Sequence, residues 1–178
     1  MNTDINWKLI GEAVEFYKGL GYQYIELPWS APIDVLMGTV PEDFILLSDI
    51  GPLIGSAEQS FLAADVAGTL GKGKFVACTP CFRCDDVDEL HNTTFMKVEL
   101  YQNDEVSEKS LSSIVYDAQK FFTSQRTFPR LIIHDDGYDV DVNGVEVGSY
   151  GIREFGGIKW VYGTGLAEPR FSKSLTIL

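Results

Sequence analysis

With 178 residues, 45% of them apolar, the chain suits one domain of ordinary size with a substantial core, and its composition excludes a disordered polymer. A formal net charge of −12, with cations dispersed rather than run together, opposes non-specific attraction to nucleic acid. No apolar run of the ~18 residues that a membrane span requires is present, and Met1-Asn2-Thr3-Asp4-Ile5-Asn6 lacks the order of a signal peptide, so a cytoplasmic protein with no membrane contact is expected.

Residues 5–19 place Ile5, Leu9, Ile10, Ala13, Val14, Phe16 and Tyr17 at helical spacing, with Gly19 or Gly21 as the stop. Tyr22–Leu27 alternates as a strand and ends at Pro28, and Phe44–Leu47 reads as a short apolar strand. A helix is predicted over 57–70, with Ser56 as its N-cap and Gln59 completing a capping box. Gly71-Lys72-Gly73-Lys74 is a turn without the spacing of a phosphate-binding loop.

A strand then carries Cys78, Cys81 and Cys84. Their spacing invites a metal reading, but strand alternation sends Cys81 to the face opposite its neighbours, and small buried thiols are the favoured reading. The longest helical pattern is Glu105–Phe122, whose apolar stripe reads as a core face. Leu131–His134, Tyr138–Val142, Val145–Ser149 and Lys159–Tyr162 read as strands, the middle two joined at Asn143-Gly144, a strong tight-turn signal. No repeat or linker interrupts the chain. Strands crowded late, with helices between, predict an α+β fold with an antiparallel sheet, formed by residues 1–178 as a single domain.

The chemistry concentrates in residues 82–99, Phe-Arg-Cys-Asp-Asp-Val-Asp-Glu-Leu-His-Asn-Thr-Thr-Phe-Met-Lys-Val-Glu. Arg83 is a forked cation able to grip a phosphate, with Asp85 two residues on. His91 sits in a polar loop, Phe95 offers a ring for stacking, and Glu99 follows on the alternating strand Phe95-x-Lys97-x-Glu99. Phe-Arg-x-Asp, a loop, then His-x-x-x-Phe-x-x-x-Glu resembles the second signature motif of class II aminoacyl-tRNA synthetases, and its wording is most similar to the seryl-type members.

The resemblance extends along the chain in the family's order. The helix and strand of residues 5–28 resemble the first motif, the dimer-forming element. Gly55-Ser56-Ala57-Glu58 is similar to the Thr-x-Glu loop of seryl- and threonyl-type enzymes. Val145-Glu146-Val147-Gly148-Ser149 resembles the strand that presents a Glu and a Ser to magnesium and ATP phosphates. Residues i and i+3 face opposite ways on a regular strand, so a bulge near Gly148 is required. Gly163-x-Gly165-Leu166 followed by Arg170 resembles the third motif, with Ala167 where a Gly is common and Pro169 where a Glu usually precedes the Arg.

The resemblance implies an antiparallel sheet flanked by helices, ATP and Mg²⁺ as ligands, and activation of an amino acid or related carboxylate as an adenylate. It assigns the α-phosphate to Arg83, the β/γ end to His91 and Arg170, and the adenine to Phe95 and Asp85. Ser56, Glu58 and Glu99 would bind the substrate, with Glu58 and Glu99 receiving its α-ammonium, and Glu146 and Ser149 would hold the metal. No anticodon-binding domain is recognisable, and the charge is unfavourable for tRNA. The expectation is therefore a short paralogue with an acceptor other than full tRNA, such as a protein; the alternative is a non-catalytic binding or regulatory module. A homodimer is expected because Trp7, Phe16 and Tyr17 exceed one core-facing stripe.

Overall fold

The computed structural model describes residues 5–84 and 88–177; Asp85 lies outside them. Helix α1 (Trp7–Gly19) starts where the Asn6 side chain accepts the Leu9 N–H at 3.1 Å, and it buries Leu9, Ile10, Ala13 and Tyr17 as one stripe. A two-residue strand β1 (Gln23–Tyr24) follows, then a short helix α2 (Ile33–Met37) that the sequence reading did not predict. The expected strand at 44–47 is instead a 3₁₀ turn at Glu42–Phe44, entered through Pro41, and only Leu47 of it reaches the small hairpin of β2 (Leu47–Ser48) and β3 (Gly51–Pro52). Proline presets the turn φ, which outweighs the apolar run.

Helix α3 (Ala57–Val66) begins at its predicted N-cap: Ser56 Oγ accepts the Glu58 N–H at 3.2 Å. Gln59 reaches back to the Gly55 N–H at 2.7 Å, one residue earlier than a capping box would place it. The helix ends short of residue 70 because Gly68 takes a φ of +68°. Strands β4 (Lys74–Phe82) and β5 (Thr94–Gln102) form a long hairpin. Helix α4 (Glu108–Ser124) starts later than expected, at a reciprocal Ser107–Ser110 cap.

The remaining strands are β6 (Arg130–His134), β7 (Gly137–Val142), β8 (Val145–Phe155) and β9 (Ile158–Glu168), closed by the short helix α5 (Arg170–Ser174). Strands β8 and β9 run well past their predicted ends. Their turn is Gly156-Gly157, both at positive φ, and the β7–β8 turn is Asn143-Gly144 in the same region, the backbone that tight hairpins favour.

Seven strands make one sheet in the order β1-β4-β5-β9-β8-β7-β6. Only the β1–β4 pairing is parallel; the rest are antiparallel. One face packs on α1 and α4 through Tyr17, Val98, Leu100, Ile114, Phe121 and Tyr150. The other face carries α3 on Phe61, Tyr101 and Trp160, whose rings stack in series. The fold is thus the expected α+β arrangement of an antiparallel sheet flanked by helices. The part of that second face left uncovered by α3 is where the site lies.

Tyr17 is fully buried and donates to Gly165 O at 2.9 Å, while Phe16 packs against Tyr17 and Phe121. Of the three aromatic residues that suggested a second copy, only Trp7, 63% exposed, remains uncovered.

Candidate active site

The β4–β5 hairpin delivers Arg83 to the open face. The Arg83 N–H donates to Thr93 O at 2.9 Å, and its Nε donates to Gly55 O at 3.0 Å, fixing the stem against the loop before α3. The guanidinium carbon stands 5.2 Å from the centre of the Phe95 ring. Arg83 lines three adjoining hollows. The largest, about 290 Å³, also touches Ser56, Glu58, Lys97, Ser149 and Arg153. A second, about 90 Å³, adds Phe95, Glu146 and Arg170; a third, about 20 Å³, adds His91 to Phe95 and Arg170.

Glu58 projects from the first turn of α3. Its Oε2 accepts Arg153 Nη1 at 2.7 Å and its Oε1 accepts the Trp160 indole N–H at 2.8 Å. Burial pushes the Glu58 carboxyl up from its ordinary range, and the Arg153 charge opposes that shift. The Arg153 guanidinium lies over the Tyr162 ring at 4.2 Å.

Glu99 lies beneath the hollow rather than in its wall. It is fully buried, accepts Ser56 Oγ at 2.5 Å, and pairs with Lys97 Nζ at 2.8 Å. Its Oε1 has no hydrogen-bond partner among the described residues. Lys97, two residues away on the same face, lines the hollow and carries its charge to Glu99.

Glu146 and Ser149 reach the same hollow through a bulge. The β7–β8 register passes from Val140↔Gly148 to Asp141↔Glu146, leaving Val147 unmatched, and this reverses the alternation between the two side chains. The Glu146 carboxylate is 3.8 Å from Arg170 Nη1. Among the described residues no cluster of three His, Cys, Asp or Glu side chains is placed to hold a metal ion. One exposed carboxylate and one hydroxyl nevertheless fit the sparse protein share of a magnesium site, which leaves most positions to phosphate and water.

His91 is held by Asp88, whose Oδ2 lies 2.8 Å from Nδ1. The His91 side chain and the backbone N–H groups of Leu90 and His91 hold the Asp88 carboxyl down at about 2. Arg170 opens α5, where Glu168 acts as a tether. Its carboxylate accepts the Ser172 N–H at 3.1 Å, Ser172 Oγ at 2.8 Å and the Asn6 N–H at 3.3 Å, so the segment bearing Arg170 is tied to the start of α1. Burial raises the Glu168 carboxyl above its ordinary range, with these hydrogen bonds opposing.

The glycines of residues 163–165 do not face the hollows. A Cβ at Gly163 would stand 2.6 Å from the Tyr150 ring, and one at Gly165 would stand 2.7 Å from the Tyr17 ring. They are small to admit core aromatics on the α1/α4 side. Cys78 packs on that same side, whereas Cys81 is buried on the other and its thiol is pushed up to about 12 by burial.

The structure thus gathers Ser56, Glu58, Arg83, Phe95, His91, Glu146, Ser149 and Arg170 around one set of hollows, with Glu99 behind the wall. Sequence reasoning passed over Lys97, Arg153, Trp160 and Tyr162. Two of these had a readable signal in strand parity: Arg153 shares it with Ser149, and Lys97 with Phe95 and Glu99.

No family model matches the sequence, and a search of curated proteins finds no match. Solved structures do match. Seryl-tRNA synthetase from Pyrococcus horikoshii, complexed with ATP, superposes with a TM-score of 0.76 at 19% identity, over 95% of this chain and 49% of that one. PylSc from Desulfitobacterium hafniense, a pyrrolysyl-tRNA synthetase, gives 0.75 at 13% identity, over 96% and 68%. The cytoplasmic serine-tRNA ligase from Naegleria fowleri, in complex with AMP, gives 0.72 at 16%, over 93% and 52%.

The fold is that of the class II aminoacyl-tRNA synthetases. At such low identity the likeness concerns architecture alone. The chain spans about half the length of the two serine enzymes. On this class II fold the hollows occupy the open face of the antiparallel sheet. Among the described residues, no helix is long and apolar enough to cross a membrane.

Proposed function

We propose that the protein activates a carboxylic acid, an amino acid or a relative, as an adenylate at the expense of ATP. The observation that carries this reading is the position of Arg83, one fixed-stem cation shared by all three hollows. A phosphate there would lie between a carboxylate in the large hollow and a nucleotide on the Phe95 side.

The reaction asks little covalent chemistry of the protein. A carboxylate oxygen, already ionised at neutral pH, attacks the α-phosphorus in line; the bond to the bridging oxygen breaks, and pyrophosphate leaves with the electron pair. Positioning and charge stabilisation supply the acceleration. Arg83 holds the α-phosphate as charge gathers on its oxygens. Arg170 and His91 take the β/γ end, and Phe95 stacks on adenine. Ser56 and Glu58 line the acid's hollow, and Glu99 acts from behind by orienting Ser56 and Lys97. Mg²⁺, held by Glu146 and Ser149, would neutralise phosphate charge when bound.

For the acceptor of the activated acyl group, a net charge of −12 disfavours full tRNA and favours a protein or small molecule. We place the reaction in the cytoplasm, in a homodimer formed through α1. Pyrophosphate exchange into ATP, with Mg²⁺ and pooled acids, tests the proposal, and folded protein that exchanges with none of them removes it.

One observation favours a second reading, a non-catalytic module. Arg83 rests on Phe95, and the two hollows beside that ring hold only about 90 and 20 Å³, less than a nucleotide needs. Calorimetric titration with ATP separates the readings: the module predicts no binding, or binding without exchange.

A further inference from the structure

The wall of the large hollow carries three cations, Arg83, Lys97 and Arg153, against one carboxylate, Glu58, in a protein whose overall charge is −12. That carboxylate already accepts charged and neutral donors on both oxygens, from Arg153 and Trp160. The other acid nearby, Glu99, is sealed below and matched by Lys97. An ammonium group entering here meets an excess of like charge and no unmatched acid.

An anion meets the opposite. A guanidinium has five N–H donors and an ammonium three. Among the described residues, Arg153 gives only Nη1 to a protein acceptor, and Lys97 pairs only with Glu99. Arg153 is held flat by Tyr162 on one side and by Glu58 at one corner, which leaves the remaining edge of its fork fixed in direction. Thr39 and Gln59 are occupied with each other, at 2.8 Å, and offer little competing polarity. Val40, Pro41, Phe44, Ile45 and Leu53 supply an apolar side to the same hollow.

We infer that the hollow takes a dicarboxylate: one carboxylate held at Arg83, where it would be activated, the second on the free edge of Arg153, and a short methylene spacer against Ile45 and Leu53. This rests on the adenylation reading for what happens to the first carboxylate; the binding of the second does not depend on it.

The test has two arms. In pyrophosphate exchange, succinate, glutarate, aspartate and glutamate are compared with serine, leucine and lysine. We expect the best dicarboxylate to exceed every monocarboxylate in kcat/KM by about 10²-fold, the scale of a charged partner gained or left unmatched. Arg153→Lys keeps the charge without the fork and should lose about tenfold of that preference; Arg153→Met should abolish it. Because Arg153→Met strands Glu58, Glu58→Gln/Arg153→Met serves as the charge-balanced control, with circular dichroism confirming the fold.

Calorimetric titration of the same acids, without ATP, is the second arm. Exchange driven by neutral or basic amino acids, with dicarboxylates silent, overturns this inference and leaves adenylation standing. No exchange at all, with dicarboxylates binding the wild type and not the charge-balanced variant, removes adenylation and keeps the inference. No dicarboxylate binding in either arm overturns it.

Discussion

At the α3 end of the site, acids and bases are matched inside the chain. Glu58 is held by Arg153 and Trp160, and Glu99 by Lys97 and Ser56, all at 2.5–2.8 Å. At the α5 end, pairing is loose. Glu146 stands 3.8 Å from Arg170 with half its side chain in solvent, and Arg83 rests on Phe95. The first end is a rigid mould whose charges are set before any ligand arrives. The second is looser where Arg170 faces Glu146, and its Arg83 is fixed at Nε by Gly55 O while the rest of the guanidinium lies against the Phe95 ring. Binding energy at a preorganised end goes into selection, whereas the loose end must be ordered by its ligand.

The sharpest way to break this contrast is to unpair the buried end. Glu99→Ala leaves Lys97 nearly enclosed without its counter-charge, and should lower unfolding free energy by roughly 3–5 kcal/mol. Glu99→Met/Lys97→Met should restore most of it. At the loose end Glu146→Ala should stay within about 0.5 kcal/mol of wild type. Urea melts of the four proteins decide, and equal losses for the two acids would erase the distinction.

Arg83→Ala asks the complementary question about chemistry. Exchange should fall about 10²-fold or more, equivalent to at least ~2.7 kcal/mol of transition-state stabilisation. Folding should lose only about 1 kcal/mol, since one hydrogen bond to Gly55 goes. Ser56→Ala belongs to the rigid end. It removes the α3 cap and one donor to Glu99, so a loss of ~1–2 kcal/mol is expected, and a loss below about 0.5 kcal/mol would show that Glu99 finds water there instead.

Much of the architecture could be read from the chain, because it is written in local signals. The α1 stripe, the Ser56 cap and the Asn143-Gly144 turn are each settled by a few adjacent residues, whereas the bulge between Glu146 and Ser149 was expected only from the family resemblance. The misses have another cause. Arg153 and Trp160 join Glu58 from about a hundred residues away, and nothing near them in sequence announces that meeting. Pairing across a sheet is fixed by register, which a single sequence carries only weakly. Gly163 and Gly165 show a subtler limit. Their smallness was legible, but its reason, the rings of Tyr150 and Tyr17 behind the sheet, required the fold.

Glu168 offers the smallest and most diagnostic effect, because it ties the loose end to α1. Its buried carboxyl titrates above the ordinary 4.5 in the folded chain. Between the unfolded and folded values the native state then binds more protons than the unfolded one, so this group's contribution to stability falls as pH rises through that window. The slope approaches about 1.4 kcal/mol per pH unit within the window and vanishes on either side. Glu168→Gln cannot ionise, so its stability relative to wild type should improve as pH rises from about 4.5 and then level off at the raised value. Chemical denaturation of both proteins at half-unit pH steps reads this directly. A flat difference would mean that the Asn6 and Ser172 donors hold the carboxylate as well as water does. The tether between α1 and Arg170 would then be an ordinary ionised one rather than a buried group that resists its own charge.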